Sequence, residues 1–322
     1  MNSIDPMHDA TQQRQLFLLG PQPEFASLKK VIDRIELSGP VALITAGWET
    51  DEHQDHELKQ AIGVPSVNLN LFARTEQLFA EDAELIETLR ERQDQLRHLR
   101  ETYNRRLTHL LKAARQIIRR KEKLIDLTAE RESAIEMVRQ LDQQYFDRTS
   151  KIVDHYEQQL QTSNRTLVAS HRQQISEILE KSGAILISGG HVAIILNRLR
   201  IFGILESNTH LPLIAWSGGS MALAEKVVLF HDSPPQGAGN SEVLRAGMGL
   251  FTNVLPLPNA EHRLKLKDKA RVELFARRFE SFECVVFSDQ TILERVNGNW
   301  NSIGFGSAKC LGKSGNVVDF NA

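Results

Sequence analysis

Residues 213–222 read Leu213-Ile214-Ala215-Trp216-Ser217-Gly218-Gly219-Ser220-Met221-Ala222: an apolar run with the character of a strand, a serine among small residues, then the start of a helix. A serine at such a junction takes up a strained backbone conformation that only small neighbours permit. Its hydroxyl is presented at the sheet edge, and the helix behind it turns its N-terminus toward any developing negative charge. This is the physical recipe of a nucleophile elbow, with Ser217 as the nucleophile. The bland reading of the same residues is a glycine-rich turn that lets a helix pack closely on a strand.

Upstream, Ile185-Leu186-Ile187-Ser188-Gly189-Gly190-His191 repeats the arrangement, a strand ending in adjacent glycines before another helix. Glycine lets backbone donors approach a reacting carbonyl without a Cβ in the way, so amides at Gly189 and Gly190, with that of Gly218, form a candidate oxyanion hole. Further out, short apolar strands are expected at 15–19, 41–45 and 67–71, separated by helical patterns at 25–37 and 55–62. After the 184–188 strand come an amphipathic stretch at 192–202, the 211–216 strand and a helix from about Gly219. Such alternation predicts an α/β fold, a three-layer, mostly parallel sheet with crossover helices. Apolar runs at 227–230, 254–257 and 284–287, a helical 268–279 and a hairpin at Asn297-Gly298-Asn299 complete it.

Between Pro65 and Gly183 the chain contains no glycine and no proline. Ordinary usage would place about a dozen there, and their absence removes the residues that most often end helices. Leu85, Leu89, Leu96, Leu99, Tyr103, Leu107, Leu110, Ile117 and Leu124 recur at spacings of three, four and seven, a coiled-coil-like seam. Ile135, Val138, Leu141, Tyr145, Ile152, Tyr156, Leu160, Leu167 and Ile175 continue it with slips in register. One helix of this length would be about 170 Å long, and the next strand must return to the same sheet, so a helical hairpin or three long helices is expected. The predicted organisation is therefore a disordered tail at 1–14, a first part of the α/β domain at 15–72, an inserted helical region at 73–182 and the second part at 183–322. Three separate modules are the alternative, but three strands alone make a poor sheet.

Bulk composition is ordinary for a globular chain: 322 residues, 41% hydrophobic, 25% charged, net charge −2. That balance implies no overall pull toward nucleic acid or an anionic membrane. Cys284 and Cys310 lack metal-ligand spacing and suggest a reducing compartment. The polar N-terminus and the lack of a long apolar run suggest a cytoplasmic protein with no membrane partner. No phosphate-binding loop, dinucleotide fingerprint or metal motif occurs, so neither cofactor nor metal is expected. The basic run from Arg105 to Lys123 reads as the charged flank of a coiled coil in preference to a nucleic-acid face.

The order Gly189-Gly190, Ala215-Trp216-Ser217-Gly218-Gly219-Ser220, Phe230-His231-Asp232, Leu255-Pro256-Leu257-Pro258 and Ser288-Asp289-Gln290-Thr291 resembles the family of peptidase E and cyanophycinase. These are serine hydrolases on a class I glutamine amidotransferase-like, flavodoxin-like fold. The resemblance covers about 140 residues at the C-terminal end, and the first 70 loosely. Gly218 and Ser220 stand where the family usually has alanine. By this resemblance Ser217 is the nucleophile, and the amides of Gly190 and Gly218 are the oxyanion donors. The acid is Asp289, on a late strand, or Asp232, at the family's spacing after the serine. The family's histidine general base follows the strand at 254–257, where this chain has Asn259. Asparagine cannot accept a proton at neutral pH. His262, three residues on, is the substitute candidate; His231 and His191 lie nearer other elements.

Two functions follow. One is a serine hydrolase acting on a small peptide or amide. The other is a catalytically impaired relative in which the helical insertion mediates homo-oligomerisation or binds a partner protein, since a long apolar seam must be buried somewhere. Glutamine amidotransfer fits poorly, because that chemistry uses a cysteine at the elbow.

Overall fold

The computed structural model describes residues 14–25, 27–206, 210–230, 239–304 and 308–320; the tail expected at 1–14 lies outside them except for Arg14, which is buried and donates from Nε to the Leu211 carbonyl at 2.6 Å. The chain opens with β1 (Leu16–Leu19), α1 (Leu28–Ile32), β2 (Val41–Ile44), α2 (His56–Ile62) and β3 (Ser66–Asn68). Four helices then run without an intervening strand: α3 (Leu71–Glu81), α4 (Ala83–Arg119), α5 (Thr128–Leu160) and α6 (Thr166–Leu179). Alternation resumes with β4 (Ala184–Ile187), α7 (Val192–Phe202), β5 (Leu213–Trp216) and α8 (Gly218–Leu223). There follow β6 (Lys226–Leu229), β7 (Glu242–Ala246), β8 (Val254–Pro258), α9 (Ala260–Arg263) and α10 (Lys269–Arg278). The last strands are β9 (Glu283–Phe287), β10 (Ile292–Val296), β11 (Asn299–Ser302), β12 (Lys309–Leu311) and β13 (Val317–Asp319).

The main sheet has the order β11-β10-β1-β5-β4-β2-β3. Its five strands from β1 to β3 are parallel; β10 joins β1 antiparallel, and β11 closes a hairpin on β10. β1, β2, β4 and β5 are each four apolar residues, all buried. Side chains alternate between the two faces of a strand, and each face finds its own core. Leu16 and Leu18 join one apolar cluster with Ile195, Leu196 and Leu199 of α7. Phe17 and Leu19 join another with Leu28 and Val31 of α1 and Leu58 and Ile62 of α2. Each such buried side chain contributes roughly 1.5–3 kcal/mol. The fold is α/β, with helices on both faces of a mainly parallel sheet. β8 pairs in parallel with β9 in a smaller sheet of order β13-β12-β9-β8, and β6 and β7 form a two-stranded ribbon.

The expected strand at 67–71 is shorter and earlier. Only Ser66–Asn68 pairs with β2, Asn70 turns into the left-handed region at φ 51°, and Leu71 begins α3. Leu69 and Leu71 are both buried, so the run is as apolar as a strand would be. The helical pattern at 25–37 is likewise cut to Leu28–Ile32, with Phe25 at φ 55°. The Glu52 carboxylate accepts the amides of Phe72 and Ala73 at 2.9 Å each and so caps the first turn of α3. Burial raises the Glu52 pKa, against those two hydrogen bonds.

α4 and α5 form an antiparallel hairpin. Gln95 donates to the Tyr156 hydroxyl at 2.8 Å, and Tyr103 stacks on Tyr145 with ring centroids 4.0 Å apart. With 37 residues, α4 is about 55 Å long. Its seam runs as expected through Leu107 and then slips: Leu111 and Ala114 are buried, Leu110 is half-buried, and Leu124 lies in the turn between the helices, 91% exposed. The chain covers this seam itself. At the start of the hairpin, Arg165 binds both oxygens of Asp82, at 2.8 and 2.7 Å, tying α6 to the cap of α4.

A buried ionic cluster fastens the hairpin to the rest of the molecule. Arg278 of α10 donates from Nε to Asp142 Oδ2 at 2.5 Å and from Nη2 to Oδ1 at 2.7 Å. The Tyr103 hydroxyl donates to Asp142 Oδ1 at 2.7 Å and accepts from the Val243 amide of β7 at 3.1 Å. Arg278 and Asp142 side chains are 1% and 5% exposed. Removing one partner of such a pair leaves an uncompensated charge in the interior. Asp142→Ala is therefore expected to lower the unfolding free energy by about 3–5 kcal/mol, while Tyr103→Phe, which keeps the ion pair, costs only about 1–2 kcal/mol. Urea unfolding followed by circular dichroism checks both values.

Candidate active site

At the carboxyl ends of the parallel strands three backbone turns press against one another. Ser217 follows β5 at φ 48°, ψ −116°, a region that costs a non-glycine residue roughly 1–3 kcal/mol. Its amide donates to the Leu19 carbonyl of β1 at 3.2 Å, and its carbonyl accepts from Met221 at 3.1 Å. The strained residue is thus held from both sides of the strand-to-helix junction.

The neighbours explain why nothing larger occupies the turn. A Cβ on Gly218 would lie 2.5 Å from the Gly190 carbonyl oxygen, and one on Gly189 would lie 3.0 Å from the Ser217 Cβ. A Cβ on Gly190, at φ +114°, would lie 2.2 Å from the Gly47 carbonyl oxygen. The glycine at 218, where the resembling family carries alanine, is thus matched to a close backbone approach in this chain. Ser220, the other departure, is buried and donates to the Ala215 carbonyl at 2.8 Å, so its hydroxyl is spent inside the turn. Among the described residues, no backbone acceptor takes the amides of Gly190 or Gly218, which leaves both available to a ligand.

Ser217 opens onto a cleft of about 940 Å³. Gly189, Gly190 and Gly218 form its floor beside the serine, and Asn259, His262 and Asp289 also line it, together with His191. Asn259 comes directly after β8, in the left-handed region at φ 60°. Its amide donates to the Phe287 carbonyl at 2.9 Å, and its carbonyl accepts from His262 and Arg263 at 3.1 and 3.0 Å. Asn259 therefore has a backbone reason to be there, because asparagine tolerates positive φ better than most residues. His262 is exposed one turn along α9, and Asp289 is exposed after β9. Among the described residues, no hydrogen bond joins Ser217 Oγ to an imidazole or a carboxylate. His191 is a helix cap, its Nδ1 accepting from the Ile194 amide at 3.4 Å. Asp232 and His231 lie outside the described residues.

Three cleft residues had no local signal in the sequence. Arg100 comes from α4, 117 positions before Ser217, in a helix where charged residues fill most positions outside the apolar seam. Glu242 of β7 grips it, accepting from Nη2 and, at 3.3 Å, from Nε, and also accepts from Asn104. This hydrogen bonding raises the Arg100 pKa, so its cationic form is favoured. Trp48 and Arg263 line other parts of the wall.

The two cysteines are no alternative nucleophiles. Both are buried thiols without a disulfide, on β9 and β12. Burial raises the Cys284 pKa far above that of a free thiol and that of Cys310 to about 11, and the thiolate is the reactive form. Among the described residues, no group of His, Cys, Asp and Glu is arranged to hold a metal ion, and no helix is long and apolar enough to cross a membrane.

No family model matches this sequence, and no curated protein is similar to it. Among solved structures, the chain is similar to a peptidase from an acI-B1 actinobacterium, at 14% identity over 95% of this chain and 97% of that one, with a TM-score of 0.48. It is also similar to a putative peptidase E protein from Listeria monocytogenes EGD-e, at 12% identity over 91% and 99% of the two chains, with a TM-score of 0.44.

Two outcomes follow from the packing. Gly190→Ala is expected to lower stability by at least about 2 kcal/mol, since strain and a backbone clash act together. Gly249→Ala, at φ +69° with nothing within 4 Å, costs only about 1–2 kcal/mol. Thermal melts of the two variants distinguish them. In native protein neither thiol should react with Ellman's reagent at neutral pH, and both should react once the chain is unfolded in guanidinium.

Proposed function

We propose that this chain is a serine hydrolase of the peptidase E and cyanophycinase type, acting on a small peptide or amide through Ser217. The carrying observation is the positive φ of Ser217 at a strand-to-helix turn that opens onto a cleft. In this reading Ser217 Oγ attacks the carbonyl carbon of the scissile bond. The hydroxyl proton passes to His262, and the amides of Gly190 and Gly218 receive the oxyanion. The proton then goes to the departing amine, leaving an acyl-enzyme that water hydrolyses by the reverse route. Asp289 orients the imidazole and stabilises its charged form. Such hydrogen bonds often tighten only with substrate in place, and the exposure of His262 and Asp289 leaves both free to move.

A specific observation favours a second reading, a binding module that has lost catalysis: Asn259 stands where a base would follow β8. In that case the cleft recognises its ligand through the same walls without turning it over. Any assembly role of the helical insertion would have to use its outer surface, because the seam is occupied within the chain.

A fluorophosphonate probe separates the readings. The hydrolase reading expects labelling that Ser217→Ala abolishes and that His262→Gln slows by about 10²- to 10⁴-fold. Absence of Ser217-dependent labelling sinks it. Histidine is among the residues enriched at positive φ, so Asn259→His is compatible with the backbone there. Labelling that arises only in that variant favours the module that lost its base.

A further inference from the structure

The turn between α4 and α5, residues 120–127, carries two features that the proposed hydrolase does not use. Leu124 is 91% exposed and Ile125 60% exposed, the two most exposed large hydrophobic side chains among the described residues. Beside them lies a groove of about 540 Å³ lined by Arg119, Arg120, Lys121, Arg131, Lys267 and Lys269. Two carboxylates share the lining, Asp268, which pairs with Arg119 and Arg271, and Glu273, which pairs with Arg277, and the turn itself adds Glu122, which pairs with Arg120, and Asp126. Lys121, Lys267 and Lys269, and Lys123 in the turn itself, form no ion pair among the described residues. The Arg131 Nε is buried with no hydrogen-bond partner. The cations come from three separate segments, the end of α4, the start of α5 and the start of α10, so the fold itself gathers them in a chain whose net charge is −2.

We infer that this end of the hairpin docks on an anionic lipid surface. Leu124 and Ile125 enter the headgroup and acyl boundary, and the lysines and arginines bind the phosphates and carboxylates of the lipid headgroups. A lone pair of aliphatic side chains is a weak anchor and a basic patch alone is salt-sensitive. Side by side they make the two signals that peripheral attachment requires. Nucleic acid would use the same cations, but single strands are held by aromatic faces on which bases stack, and the exposed residues here are aliphatic. The sequence-level expectation of no membrane partner rests on the lack of a spanning segment and a balanced net charge. Neither bears on a local docking surface.

Flotation of the full chain with vesicles tests this. It should rise with phosphatidylcholine vesicles containing phosphatidylserine at low salt, and stay behind with phosphatidylcholine alone or at high salt. Leu124→Ser with Ile125→Ser should lower the vesicle-bound fraction about tenfold, and Lys121→Ser with Lys123→Ser about fivefold for each charge removed. All four side chains are exposed, so unchanged thermal melts should accompany the loss. Failure to float with the phosphatidylserine vesicles overturns the inference, as does equal binding to neutral vesicles or binding unaffected by either pair of substitutions. Binding to an oligonucleotide without binding to vesicles overturns it in favour of nucleic acid.

Discussion

Direct contact of backbone with backbone, at the carboxyl ends of β2, β4 and β5, is the constraint on which the rest of the site depends. Gly47, Gly189, Gly190 and Gly218 are packed so that a Cβ at any of them would lie 2.2–3.0 Å from a neighbouring atom. Gly47, Gly190 and Gly218 thus meet neighbouring backbone directly, while Gly189 packs on the Ser217 Cβ and the Trp216 indole, and Ser217 is held at φ 48° by what surrounds it. The apolar strands supply the stability that such strain draws on, since each is buried on both faces. Loosening the contact would relieve the serine and disperse the amides beside it in one move.

The helical insertion is part of this body. Asp142, Tyr103 and Arg278 join α5, α4 and α10 below the surface, and the Val243 amide brings in β7. Glu242, one residue before Val243, holds Arg100 in the wall of the cleft. The same ribbon thus receives the hairpin's anchor on one residue and directs its contribution to the cleft with the next. A change in how the hairpin sits would be felt at the site through Arg100, because both are referred to β7.

Much of the architecture was legible in the sequence because the signals were physical extremes. Uniformly apolar four-residue runs between helical patterns belong to strands buried on both faces, and a stretch from 66 to 182 without glycine or proline has few ways to be anything but helical. Errors arose where burial and hydrogen bonding part company. Leu71 is buried as the first residue of a helix, after Leu69 has made a last hydrogen bond to the Leu43 carbonyl of β2, and the seam shifts from Leu110 to Leu111. Strands such as β7 and β13 carry weak apolar patterns, since half-buried or exposed residues make up most of them. At the site, the elbow and its glycine partner were readable as local motifs. Arg100 and Trp48 were not, because what places them is tertiary, over separations of more than a hundred residues from Ser217. The base stayed open for the same reason: Asn259 and His262 share one short turn, and spacing along the chain does not say which way a side chain there will point.

The strand order carries a consequence for how the molecule comes into being. β1 lies inside the sheet, with β5 on one side and β10 on the other, and Leu18 is matched with Ala215 and Leu293. A ribosome has to make most of the chain before the first strand meets either neighbour. The α4–α5 hairpin, by contrast, closes from residues adjacent in sequence and can assemble early. Until the sheet closes, Leu16 to Leu19 is a fully apolar segment with its edges unpaired, the kind of surface that aggregates or attracts chaperones. β1 therefore stays half-paired until residues 292–296 have been made, and a chain truncated before residue 292 would leave this interior strand with one side open.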